Sequence, residues 1–235
     1  MWHRAWRATV LVAAALSACS DDAPVSLPTT AAEATTSAPT MVAAPTTTAA
    51  PTVPPTTVPP EPNRVFPVQD AAHSSFADEH HDYPAADIFT AGGCGSPLVA
   101  PVDGVVLELS RVDVWATGGG PETRGGLYLA ILGNDGVRYY MAHFSAIEAA
   151  LAPGVAVTAG QVVGAMGRTG RAGACHLHFA LSPVCSNPDW WVRRGAIWPQ
   201  AYLRDWQQGV PTSPVAEVTA WSAANPTVCT TPAAD

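Results

Sequence analysis

The sequence predicts a mainly β protein: a small antiparallel sheet domain with little helix, following a Pro/Thr-rich stalk. Three observations lead there. Short apolar runs rich in Val, Ile, Leu and Tyr recur between Phe66 and Ser182, each bounded by Gly, Pro or Asp, which is the pattern of many short strands joined by tight turns. Runs with helical period are scarce. From Asp21 to Pro62 the chain has four charged residues, no aromatic and no Gly, but ten Pro and eleven Thr. Such a segment cannot bury enough apolar surface to offset the entropy of ordering it.

The N-terminus comes first. Met1 to Arg7 carries Arg4 and Arg7 and no acid, and Ala8 to Leu16 is almost wholly apolar. That run is too short to span a bilayer, and a basic start before a short apolar run reads as a secretory signal, here residues 1–18. Leu16-Ser17-Ala18-Cys19 closes it and resembles the bacterial lipobox, in which the Cys becomes the first mature residue and carries lipid. The alternative is an ordinary signal with Cys19 incidental. Losing residues 1–18 removes two Arg and no acid, so the net charge of −8 becomes −10. A strongly acidic protein gains nothing from anionic headgroups, so lipid at Cys19 is expected to do the anchoring to the membrane. Residues 19–62 are read as a disordered linker. Pro-rich chain favours extended polyproline II at about 3.1 Å per residue, a reach approaching ~130 Å.

Residues 63–209 are the expected folded domain. Its strand-like runs are Asp87 to Phe89, Pro97 to Pro101, Gly104 to Leu109, Gly126 to Leu132, Val137 to Phe144, Gln161 to Met166 and His176 to Leu181. Asn134-Asp135-Gly136 reads as a hairpin turn between two of them. Ala146 to Leu151 is expected to form one or two helical turns before Pro153-Gly154. Pro199 to Gln208, with Pro at its start and Gly209 after its end, reads as a terminal helix. Residues 210–235, again rich in Pro, Thr and Ala, are expected to be a loosely ordered tail. Gly164, Gly167, Gly170 and Gly173 recur every third residue, which points to turns and close backbone approach.

Composition excludes some functions. All eleven basic residues are Arg, so the phosphate-loop motif, which needs a Lys, is absent and no nucleotide is expected. No basic stripe is present, so no nucleic acid is expected either. With Cys19 set aside, Cys94, Cys175, Cys185 and Cys229 remain, an even number in an oxidising compartment, which suggests two disulfides. Three pairings are open; Cys175–Cys185 with Cys94–Cys229 is favoured. A Cys-ligated zinc site lacks the paired CxxC spacing.

The chemistry concentrates in histidines. In His176-Leu177-His178-Phe179 both imidazoles share one strand face while Leu177 and Phe179 face the other. His80-His81-Asp82-Tyr83-Pro84-Ala85-Ala86-Asp87 supplies a second His/Asp set and Tyr140-Met141-Ala142-His143-Phe144 a third. Imidazole nitrogens with a carboxylate suit zinc with one position open to water. His73 lacks an acidic neighbour in pattern and is read as structural or exposed. Trp190, Trp191, Trp198 and Trp206 are read as packing residues. Tyr139 and Tyr140 alternate faces, so one of them is expected to reach the site. Neither HExxH nor a Ser or Cys nucleophile motif is present.

The order of these motifs resembles the lysostaphin/LytM-type zinc metallopeptidases, cell-wall endopeptidases with a small antiparallel β fold and an open groove. The resemblance runs from about Phe66 to Ser182. It includes Gly95-Ser96-Pro97-Leu98-Val99-Ala100-Pro101-Val102-Asp103-Gly104 and the stretch Gly160-Gln161-Val162-Val163-Gly164 to Phe179. It implies Zn2+ held by His81, Asp87 and His178, with His143 and His176 as catalytic partners, and peptidoglycan as substrate of a lipid-anchored enzyme facing the cell wall. The first motif departs from the family, which places three residues between its His and Asp. Here five lie between His81 and Asp87, and six if His80 is the ligand. His81 is preferred because it departs less. The alternative function is a non-catalytic wall-binding adaptor on the same fold.

Overall fold

Period-two alternation, interrupted by Gly, Pro and Asp, folds this chain into one antiparallel sheet system. The computed structural model describes residues 63–185 and 190–229. The expected signal, Cys19, the linker 19–62 and the last residues lie outside the described part.

The strands are β1 (Ser74–Ser75), β2 (Ala86–Thr90), β3 (Pro97–Val99), β4 (Gly104–Ser110), β5 (Leu127–Gly133), β6 (Val137–Ile147), β7 (Ala156–Val157), β8 (Val162–Met166) and β9 (Leu177–Pro183). The main path runs β1-β2-β9-β6-β5-β4-β7, and β8 joins β3 to β6. Every pairing is antiparallel. The fold class expected from sequence is therefore met. The β5–β6 hairpin closes as predicted: Gly136, at φ 80°, donates its N–H to the Gly133 carbonyl, and the Asp135 carboxylate accepts from Val137 N.

Strand β9 sits between β2 and β6, and all seven of its residues are buried. Leu177, Phe179 and Leu181 belong to the hydrophobic core with Ile88, Leu129, Ile131, Met141 and Phe144. Helix α2 (Gln200–Gln207) lays Leu203 and Trp206 on this core. The Trp206 ring stands 6.0 Å from Phe179 and 6.3 Å from Tyr139, so Trp206 is a packing residue as expected. A short helix, α1 (Trp190–Arg193), follows the His178 strand. The chain after it returns to β9, where Ala196 donates its N–H to the Leu181 carbonyl.

Three local expectations are corrected. Ala146 and Ile147 continue strand β6 instead of starting a helix, because both pair with β8, Ala146 with Ala165 and Ile147 with Gly164. The segment after Gly209 holds a ten-residue helix, α3 (Val215–Ala224). Val218 is buried on the core and Trp221 approaches Trp191 at 6.2 Å. The disulfides are Cys94–Cys175 and Cys185–Cys229, not Cys175–Cys185 and Cys94–Cys229. The physical reason lies in β9. Ten residues of largely extended chain at ~3.3 Å each separate Cys175 from Cys185 by about 30 Å, whereas a disulfide needs Cα atoms within about 7 Å. The register Ile88↔Leu177 instead carries the end of β2 past the start of β9, so Cys94 meets Cys175.

Candidate metal and catalytic site

The site forms where β2, β6 and β9 lie side by side. The register pairs Asp87 with His178 on one side and Ala142 with His178 on the other. Period-two alternation sends Leu177 and Phe179 into the core and leaves His178 on the opposite face, beside Asp87. His176, two residues earlier, shares that face.

His143 arrives differently. Leu127 pairs with Phe144 and Tyr128 with Ala142, so His143 is an extra residue in β6, a bulge. Its φ of 70° is the one positive value outside glycine among the described residues. A bulge re-aims its side chain, and backbone in this region concentrates at functional sites. The His143 N–H donates to the Gly125 carbonyl at 3.0 Å. Its ring then stands 4.7 Å from His176 and 5.9 Å from His178.

The first motif is where sequence and structure part. His80, not His81, joins Asp87 and His178 in a group whose ligand atoms lie within 4.8 Å of one another. His80 is buried, with its ring 4.4 Å from Tyr83 and 5.2 Å from His178. His81 is exposed at the turn and touches the cluster only through the edge of the His80 ring, at 4.7 Å. Sequence distance favoured His81. The turn through His81 to Pro84 faces its first residue outward and leaves the residue before it directed inward.

Four imidazoles surround one carboxylate, and each is exposed by 7% or less. Asp87 Oδ1 lies 3.0 Å from His178 Nδ1, 3.5 Å from His80 Nε2 and 3.5 Å from His176 Nε2. Carbonyl acceptors fix the tautomers, since a carbonyl can only accept. His178 Nε2–H donates to the Arg194 carbonyl at 3.3 Å, which leaves the Nδ1 lone pair facing Asp87. His176 Nδ1–H donates to the Ala174 carbonyl at 2.9 Å, and His143 Nδ1–H to the Thr169 carbonyl at 2.7 Å. Two lone pairs 3.0 Å apart repel unless a cation, a proton or a metal ion, lies between them. Tetrahedral zinc with arms of about 2.1 Å separates its donors by about 3.4 Å, which the contacts around Asp87 match. His80, Asp87 and His178 therefore fit a zinc ion in donor type, and the distances of the two imidazoles from Asp87, 3.5 and 3.0 Å, lie close to that spacing.

Electrostatics follow from burial and crowding. Burial alone would raise the Asp87 carboxyl, but when protons take the cation's place on the facing nitrogens of His176, His178 and His80, their hydrogen bonds outweigh burial and hold the group well below the usual carboxylate range. Burial, with the charges of His178 and His176, pushes His143 down to about 3, so its ring is neutral at neutral pH. Burial opposes charging of His176, yet its contact with Asp87 raises it overall. Tyr140 lies on the site face and Tyr139 in the core, where its hydroxyl donates to Asp135. Burial raises the Tyr140 hydroxyl well above its usual value, so it stays protonated.

A groove of about 500 Å³ opens over these residues, walled by Tyr83, Tyr140, Trp190, Arg124 and Arg194. Trp190 is thus a wall residue and not a packing one, while Trp191 and Trp198 are exposed. His73 pairs with Asp70 on the surface, away from the site.

Residues 84–189 match the model of Peptidase family M23. Asp87, His143, His176 and His178 lie inside the matched segment, and His80 and His81 lie just before it. The catalytic domain of the antimicrobial peptidase lysostaphin from Staphylococcus simulans is 24% identical over 58% of this chain and 97% of its own, with a TM-score of 0.45. Whole lysostaphin from the same organism is 23% identical over 65% of this chain and 58% of its own, with a TM-score of 0.47. A zinc-containing peptidase from Vibrio cholerae is 22% identical over 57% of this chain and 38% of its own, with a TM-score of 0.41. The chain thus spans nearly all of the isolated catalytic domain but little more than half of whole lysostaphin. No curated protein matches.

Proposed function

We propose that this protein is a zinc metalloendopeptidase that hydrolyses peptide bonds in peptidoglycan stems or cross-bridges. The observation that carries the reading is the His80–Asp87–His178 set, its two imidazoles buried and turned on one carboxylate, beside two further imidazoles. His80, Asp87 and His178 would hold the ion. Zinc, when bound, supplies a Lewis acid for the scissile carbonyl and brings the pKa of its water towards neutrality.

The remaining steps belong to the chain's own groups. His143, neutral and with Nδ1–H tied to Thr169, presents Nε2 as acceptor for the proton of the attacking water. His176, whose Nδ1–H is tied to Ala174 and whose charged form the contact with Asp87 favours, gives its Nε2 proton to the leaving amine and is recharged by the proton that His143 took from the water. Tyr140, protonated and in the groove, offers an O–H to the developing oxyanion. Asp87 and the Arg194 carbonyl fix the His178 ring.

The lipobox-like Leu16 to Cys19 supports attachment through lipid at Cys19, outside the cytoplasmic membrane and facing the wall. Among the described residues no helix is long and apolar enough to cross a membrane. Digesting purified peptidoglycan with the zinc-loaded protein, and weighing the released fragments by mass spectrometry, tests the activity. Cleaved peptide linkages that disappear with a chelator and return with zinc are expected. Intact walls of several cross-link chemistries would make the protein a wall-binding adaptor instead.

A further inference from the structure

The groove is basic in a protein that is acidic as a whole. Its walls carry Arg124, Arg138, Arg171, Arg193 and Arg194, five of the eleven basic residues of a chain with net charge −8. Two of these share one carboxylate. Arg138 donates to Glu108 at 2.6 Å, and Arg193 stands 3.5 Å from the other oxygen of that carboxylate.

Arg194 and Arg124 have no such acceptor among the described residues. The Arg194 guanidinium stacks on Tyr83, 3.7 Å from the ring centroid, and approaches Trp190 at 4.5 Å. Its Nε is buried and without an acceptor among the described residues. Stacking of this kind holds the planar fork in one orientation while leaving its edge free for two parallel hydrogen bonds. Arg124 likewise has a buried Nε without an acceptor there. Both charges act on the Tyr83 phenol, so both converge on the same end of the groove. Tyr83 in turn lies 4.4 Å from the His80 ring and 5.9 Å from His178. Asp82 and Glu122, the other acids of the wall, are exposed and form no ion pair with either Arg among the described residues.

We infer that Arg194 and Arg124 bind a carboxylate of the peptide substrate, so that the site selects an acidic peptide with a free carboxylate close to the bond presented to the metal cluster. The inference rests on the endopeptidase reading for the bond but not for the binding. Planar bidentate pairing with a carboxylate is what a pre-oriented guanidinium does best. The acidic remainder of the chain repels anions elsewhere and leaves this groove as their place of attachment.

Isothermal titration of the full chain tests it, using a peptidoglycan stem tetrapeptide as the free acid and as its fully amidated form, with cleavage of both followed in parallel. The free acid is expected to bind at least about tenfold more tightly, the scale of one charge-assisted pair. Arg194→Gln and Arg124→Gln should each shrink that preference, and the double variant should erase it. Arg194→Lys keeps the charge without the stacked fork and should recover only part. If circular dichroism shows Arg194→Gln to be unfolded, Arg124→Gln decides alone. Equal affinities for acid and amide in the wild type, or an unchanged preference in the folded variants, would overturn the inference. Equal affinities with cleavage leave the endopeptidase reading standing; a lost preference in the variants without any cleavage keeps the carboxylate site and removes the endopeptidase reading.

Discussion

A single residue's direction decides which histidine belongs to the cluster. Period two sufficed for His176 and His178, since a strand puts i and i+2 on one face. It also sufficed for Asp87, whose partner His178 follows from the β2–β9 register. It could not choose between His80 and His81, because a turn obeys no such period, and the shorter spacing pointed to His81, which lies exposed while His80 joins the cluster. Nor could the sequence show that His143 is a bulged residue at φ 70°; only the offset between Leu127–Phe144 and Tyr128–Ala142 reveals it. These placements give separate expectations. His80→Ala should lose most bound zinc and all wall cleavage, whereas His81→Ala, at an exposed position, should keep both; metal analysis beside a digestion assay reads each. Equal zinc in wild type and His80→Ala would remove His80 from the ligand set. His143→Ala should retain zinc and lower kcat by about 10²- to 10⁴-fold, the usual worth of a general base. A variant that lost its zinc as well would place His143 on the ion and not on the proton.

At the scale of elements, the sequence showed strands better than it showed what joins them. Each apolar run read as a strand lies in or along one, because Val, Ile and Tyr between turn residues are a local signal. Strands of two residues, β1 and β7, carry no period and escaped. Helix α3 escaped because its Ala, Thr and Val composition resembles the tail around it; burial of Val218 and the Cys185–Cys229 bridge, not propensity, fix it. The disulfide pairing was partly within reach. Once Leu177 to Pro183 is a strand, Cys175 and Cys185 are too far apart to bond, but the true partners follow only from sheet order. Cys94–Cys175 spans 81 residues and abuts His176. Closing such a loop limits the unfolded chain by about 4.5 kcal/mol in the chain-entropy model, with measured losses of about 2–5 kcal/mol. Cys94→Ser with Cys175→Ser should lower stability by that much in denaturant titration, and cleavage should fall further than the unfolded fraction explains, because the turn holding the Ala174 carbonyl to His176 Nδ1 loosens. Cleavage that tracks the folded fraction alone would make the bridge a stabiliser with no part in placing His176.

Across the whole molecule, charge separates by place. The acidic total and the arginine-walled groove are compatible because only Asp82, Asp87 and Glu122 of the acids line the groove, against five arginines, two of which share Glu108. That distribution bears on attachment. A mature chain of −10 would be repelled from an anionic leaflet over a Debye length of about 8 Å at physiological salt, so electrostatics cannot hold this protein to a membrane. One acyl chain alone gives reversible binding, and stable anchoring needs a second chain or a basic patch. On the proposed attachment, with no basic patch in the sequence, the hydrophobic contribution would come from more than one chain at a single residue, and Cys19 at the end of Leu16-Ser17-Ala18-Cys19 is the residue proposed to carry it. Cys19→Ala should therefore release the protein to the soluble fraction or block its maturation, while the purified variant should still cleave isolated walls as fast as wild type, since the site is built between His80 and Arg194. Fractionation of cells, with immunodetection and a wall-digestion assay on both proteins, checks the two halves separately. A variant that remained membrane-bound and normally processed would show that the anchor is not lipid at Cys19.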